Sequence, residues 1–171
     1  MPLSPFPPTT KRVSLYCFWA LLMLFSTQGK LKAQTTYTIT TPLSFGIFAI
    51  TKNDTTYDLD ISEDNNVTQD SAYVLSLPIP ERGEMFLEGL PAETEVTITF
   101  DDGTLTRGGG PPTPAFTITD FVTNQPTPLA FETDINGELT FFYGATLRTS
   151  GTSQAYQSGN YTGNFNMTIS F

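Results

Sequence analysis

From residue 37 onward, apolar residues recur at every second position in short runs broken by turn residues. The alternation is strict in Tyr57-Asp58-Leu59-Asp60-Ile61-Ser62. Tyr57, Leu59 and Ile61 point inward, and Asp58, Asp60 and Ser62 point to water. A period of two marks a half-buried β-strand. Over residues 93–100, Val96, Ile98 and Phe100 alternate with threonines in the same way. The pattern predicts further strands over residues 43–50, 72–77, 84–88 and 116–122. Tyr37 and Ile39 share one face of the first strand. The last predicted strand, residues 161–171, sets Phe165, Met167, Ile169 and Phe171 on one face and ends on a core residue. Asn136-Gly137 lies between Leu129, Phe131, Thr133 and Ile135 on one side and Leu139, Phe141 and Tyr143 on the other. Such a pair between alternating runs predicts a hairpin with a type I′ turn. No window sustains a helical period. The expected fold is therefore all-β: a single-domain antiparallel β-sandwich, immunoglobulin-like or pilin-like, over residues 34–171.

The start of the chain breaks this pattern. Lys11 and Arg12 precede an uncharged, almost wholly apolar run of 13 residues, 13–25, and Ser26, Thr27, Gln28 and Gly29 and then Leu31-Lys32 lead to Ala33. A charged start, a short apolar core and a small residue at the end make a cleavable export signal, here residues 1–33. The run is shorter than the roughly 20 residues of a membrane span. The expected location is the periplasm, the cell surface or the medium, with no membrane insertion after cleavage.

Cleavage changes the chemistry of what remains. Cys17 lies within the leader, so residues 34–171 hold no cysteine, and the chain has no histidine. Ser-His-Asp and Cys-His catalysis and thiolate or imidazole metal sites need groups the domain lacks. Lys52, Arg82, Arg107 and Arg148 remain against 17 acidic residues, a net charge of −13. Such a field opposes nucleic acid. No cofactor is expected, and neither is an enzyme. Asp58/Asp60 and Glu93/Glu95 are carboxylate pairs, but each sits opposite an apolar stripe, as on a solvated face. Asp54, Asp58, Asp60, Glu63 and Asp64 form an acidic cluster without the glycine and spacing of an EF-hand loop. Arg107-Gly108-Gly109-Gly110-Pro111-Pro112 lacks the Gly-Lys-Ser/Thr ending of a phosphate loop and reads as a connection. Phe142, Tyr143, Tyr156 and Tyr161 are the candidates for a glycan-binding platform.

An ordered set of segments resembles one bacterial family. These are Leu43-Ser44-Phe45-Gly46, Gly83-Glu84-Met85-Phe86-Leu87-Glu88-Gly89-Leu90-Pro91, Gly144-Ala145-Thr146-Leu147 and Gly159-Asn160-Tyr161-Thr162-Gly163-Asn164-Phe165. The set is similar to the domain-of-unknown-function family numbered 4402. The resemblance implies a small exported β-sandwich in the style of fimbrial subunits, with no catalytic residues to carry over. The chain departs from that pattern in its Gly/Pro-rich loop at 107–114 and in Phe171, where a tyrosine is expected. Two functions stay open. One is a structural or adhesive surface subunit that associates with itself or with related subunits. Its terminal strands, carrying Tyr37 and Ile39 or Phe165, Met167, Ile169 and Phe171, would be the ones exchanged. The other is a module that binds carbohydrate or a glycoprotein.

Overall fold

The computed structural model describes residues 34–76, 78–109, 113–125 and 130–171. The leader reading of residues 1–33 and the inward placement of Leu129 lie outside them. In chain order the strands are β1 (Thr36–Thr41), β2 (Ile47–Ile50), β3 (Asp58–Ile61), β4 (Val67–Gln69), β5 (Tyr73–Ser76), β6 (Gly83–Glu88), β7 (Glu95–Phe100), β8 (Gly103–Arg107), β9 (Phe116–Thr123), β10 (Ala130–Glu132), β11 (Leu139–Arg148), β12 (Tyr161–Thr162) and β13 (Met167–Ser170). All their pairings are antiparallel. One large sheet has the order β1-β6-β11-β9-β8-β12; β3 joins β11 beyond the end of β6, and β4 pairs with β3. Two smaller sheets, β10-β7-β13 and β2-β5, form the second layer.

The alternating pattern explains why the layers adhere. Leu139, Phe141, Tyr143, Ala145 and Leu147 lie on one face of β11, and all are buried. The first three pack with Met85, Leu87, Val96, Ile98 and Phe131 under β10-β7-β13. The last two pack with Leu59, Ile61, Tyr73, Phe116 and Ile118 under β2-β5. Two cores thus share one strand, in a single-domain antiparallel β-sandwich as expected. Tyr73 is buried, and its hydroxyl donates to the Leu147 carbonyl at 3.1 Å.

Four local expectations are corrected. Asn136-Gly137 closes no hairpin: β10 pairs with β7 and β11 with β6, so the turn carries the chain from one layer to the other. The last predicted strand is two strands. β12 pairs with β8 and β13 with β7, and the chain changes layer between them. Phe165, Met167 and Ile169 are half-buried against the core, but Phe171 is 61% exposed rather than a core residue. Finally, β9 does not alternate to its end. Its register against β11 slips between Gly144 and Thr146, and Asp120 stands at φ 50°. This bulge shifts the parity, so that Phe121 follows Phe116 and Ile118 to the inner face.

The layer-crossing turn is built tightly. The Asp134 carboxylate accepts backbone N–H bonds from Asn136 (2.9 Å) and Glu138 (2.8 Å). These bonds, the one from Glu138 foremost, hold its carboxyl below the ordinary aspartate value. Gly137 has φ 76°, and a Cβ there would lie 1.9 Å from the Leu90 carbonyl oxygen. Gly137→Ala is expected to destabilise the domain by about 2 kcal/mol or more, from the left-handed backbone and the clash. Gly108→Ala has open space around it and should change stability by less than about 0.5 kcal/mol. Urea unfolding of both variants checks the contrast. The contribution of the Asp134 carboxylate has the sign of a depressed acid. It is fully present above the unfolded value of about 3.9 and is lost as pH falls through the lower folded value. Asp134→Asn should therefore lower the urea midpoint at pH 7, and the gap to wild type should close below about pH 4.

Candidate functional site

The second layer is not continuous. An open cleft of about 870 Å³ lies between residues 43–50 and residues 156–163, with Leu105, Phe116, Ile118 and Phe165 also lining it. That is the size range of small-molecule pockets, roughly 300–1,000 Å³. No lining residue carries a charge.

One wall of the cleft is β2. Ile47 donates its N–H to Pro78 (3.3 Å) and Thr51 donates to Ala72 (2.8 Å), both on the β5 side. Backbone groups alternate along a strand, so those of Phe48 and Ile50 face the other edge. Among the described residues no strand pairs with that edge.

The opposite wall is held by a network of hydrogen bonds and stacked rings. The Tyr156 ring stacks on Phe116 with centroids 4.2 Å apart. Its hydroxyl donates to the Ala115 carbonyl (3.1 Å) and accepts from the Ser150 N–H (2.8 Å). Burial pushes the Tyr156 phenol above its ordinary pKa. Tyr161 meets Phe116 edge-on at 5.0 Å and donates its hydroxyl to the Gln157 carbonyl at 2.9 Å. From the β2 wall, Phe48 meets Phe116 edge-on at 5.6 Å. Asn53, buried 97 positions upstream of Ser150, holds the approach to this wall. Its amide donates to Ser150 Oγ (3.0 Å) and to the Gln154 carbonyl (2.7 Å), and its Oδ1 accepts from the Gly151 N–H (2.9 Å).

The four aromatic candidates are therefore divided. Tyr156 and Tyr161 come together at the cleft. Tyr143 does not belong with them: it is 2% exposed, packed among Phe100, Phe141 and Phe165 in the other core. Gly83 lies beneath its ring, where a Cβ would come 2.1 Å from a ring carbon. Phe142 lies on the outer face of β11. Neither the second layer nor the 150–158 loop covers it; the Arg82 guanidinium does, 3.7 Å from the ring centroid. Reading by sequence missed Phe48, Phe116 and Asn53. Phe48 and Phe116 read as ordinary strand residues, and Asn53 acts through partners nearly 100 residues away.

The strand-exchange candidates also divide. Among the described residues β1 pairs only with β6, and it forms an end of the large sheet. Tyr37 and Ile39 lie opposite Leu87 and Met85, on the inner face, yet are 68% and 53% exposed because the second layer stops short of them. β13 is paired with β7 and holds Met167 and Ile169 against the core.

Asp54, Asp58, Asp60 and Asp120 are engaged away from the cleft. Asp58 receives two hydrogen bonds from Arg148, at 2.8 and 2.9 Å, and this pairing raises the arginine above its ordinary pKa. Asp120, turned outward by the bulge, reaches the same guanidinium at 3.3 Å. Asp60 accepts from Thr146 (2.6 Å) and Thr68 (3.1 Å). Tyr57 donates to Asp54 at 2.7 Å and lowers its carboxyl pKa. Among the described residues no group of three or more acidic side chains is placed to hold a metal ion.

No curated protein and no solved structure matches the chain. A family model described as a domain of unknown function (DUF4402) matches residues 35–171, which takes in the whole sandwich, both walls of the cleft and β1. The chain belongs to the DUF4402 family.

Proposed function

We propose that the protein is an exported, non-catalytic structural subunit of a bacterial cell-surface or extracellular assembly, adhesive or fimbrial in kind. The cleft carries this reading. In a domain with 17 acidic residues, a groove of wholly uncharged residues runs beside an unpaired strand edge. An open edge is a template for another strand, and strand addition is a recurrent way of joining proteins. The leader supports export, and the family match beginning at residue 35 agrees with cleavage near Ala33. The absence of histidine, and of cysteine after the leader, supports a role without catalysis.

A second reading rests on Tyr156 and Tyr161. Their rings line the cleft, and their hydroxyls are tied to the protein's own backbone. Anchored aromatic rings with a polar rim suit a neutral carbohydrate.

Intact-mass measurement of protein recovered from the producing cell should place its first residue near Gln34; an uncut leader would overturn export. Electron microscopy and size-exclusion chromatography of that material should show polymers or higher oligomers. A stable monomer at high concentration, with no polymer on the cell, would remove the structural reading. On a glycan array the second reading expects a hit that Tyr161→Ala weakens at least tenfold. An array without hits removes it.

A further inference from the structure

We infer that the cleft beside β2 receives β1 of a second copy of this chain, so that copies join head to tail. The inference rests on the reading of the protein as a subunit of a surface assembly, and it names the partner and the polarity of the contact.

The acceptor needs an extended, uncharged segment. Its wall offers the backbone groups of Phe48 and Ile50, unpaired among the described residues, and its floor offers the half-buried Leu43 and Leu105. β1, Thr-Tyr-Thr-Ile-Thr-Thr, meets both demands. It carries no charge, although all 17 acidic residues lie between positions 54 and 138. Tyr37 and Ile39 alternate with threonines, so one face would settle on the apolar floor while the other stays in water. Its six residues extend about 20 Å at roughly 3.3 Å each, enough to run the whole of four-residue β2 at about 13 Å.

β1 is also the strand that leaves at least cost. Among the described residues it has one partner, β6, and its outer edge lacks the charge or proline that usually guards an edge strand. None of its side chains is buried. Withdrawing it leaves both cores closed, because Met85 and Leu87 on β6 are packed from β11 and from the second layer. In the cleft it would exchange its hydrogen bonds with β6 for bonds to β2 and bury Tyr37 and Ile39, which its own chain leaves exposed. β13 is the poorer donor, since Met167 and Ile169 already serve the core. Donor and acceptor are different surfaces, so the contact is heterologous and repeats without closing, as in a filament.

The domain has no cysteine after the leader, so introduced thiols report cleanly. Thr38 and Ala49 are exposed, on β1 and β2 respectively. Thr38→Cys and Ala49→Cys proteins, mixed and treated with a short bismaleimide, should give a mixed dimer. The double variant should give a ladder of multimers. Adding Ile39→Asp should reduce the ladder at least tenfold while leaving the circular-dichroism spectrum and urea midpoint in place. A synthetic peptide of residues 34–42 should compete with it. Thr38→Cys protein alone forming the dominant dimer would mean that β1 pairs symmetrically with itself, and would overturn the inference. If wild-type polymers are seen by microscopy but the double variant gives no ladder, the inference fails and the assembly reading stands. If neither polymer nor ladder forms, both fail.

Discussion

Leu139, Phe141, Tyr143, Ala145 and Leu147 stand in one row on β11, and both cores are built on that row. Leu139, Phe141 and Leu147 each contribute about 1.5–3 kcal/mol when taken from water, but the larger role of the row is to fix position. One edge of β11 pairs first with β6 and then with β3, and the other edge pairs with β9. Two separate small sheets cover the two halves of its inner face. Leu43 and Phe121 touch both clusters and join them. The cleft is what remains between β2 and residues 156–163. Without disulfides, the whole arrangement depends on this packing.

Side-chain direction was legible in the sequence; strand partnership was not. Val96 and Ile98, Met85 and Leu87, and Leu59 and Ile61 point inward as their alternation requires. Asn136-Gly137 looked like a hairpin because local turn chemistry is the same whether the next strand pairs with the last or passes to the other layer. The choice is made by Leu90, whose N–H donates to the Gly137 carbonyl at 3.2 Å. No local pattern contains that contact. The Asp120 bulge is equally silent, since one extra residue reverses parity without altering composition. Ile135 and Phe171 show the remaining limit: alternation assigns a face, but not whether the opposite layer extends far enough to cover it.

The candidate site was half legible for the same reason. Tyr156 and Tyr161 are close in sequence and come together on one wall. Phe48 and Phe116 join them only through tertiary pairing, and Asn53 holds that wall from a distant loop. Tyr143 was grouped with the other aromatics as a platform candidate, while its position in the row with Leu139 and Phe141 dictated burial. Phe142, of opposite parity, does face outward, and Arg82 covers the apolar ring that would otherwise meet water.

Electrostatics sharpens the contrast between the cleft and the rest of the surface. Residues 34–171 carry four basic and 17 acidic side chains, a net charge of −13, which repels any second copy at long range, and physiological salt confines that repulsion to about 8 Å. Within that distance, what matters is which surfaces meet. The outer face of β3 presents Asp58 and Asp60, and β6 presents Glu84 and Glu88. Contact between two such faces would bring like charges together. β1 and the cleft lining carry none, so they can approach without that penalty. The acidic surface therefore favours contact through neutral strand edges over contact through charged faces.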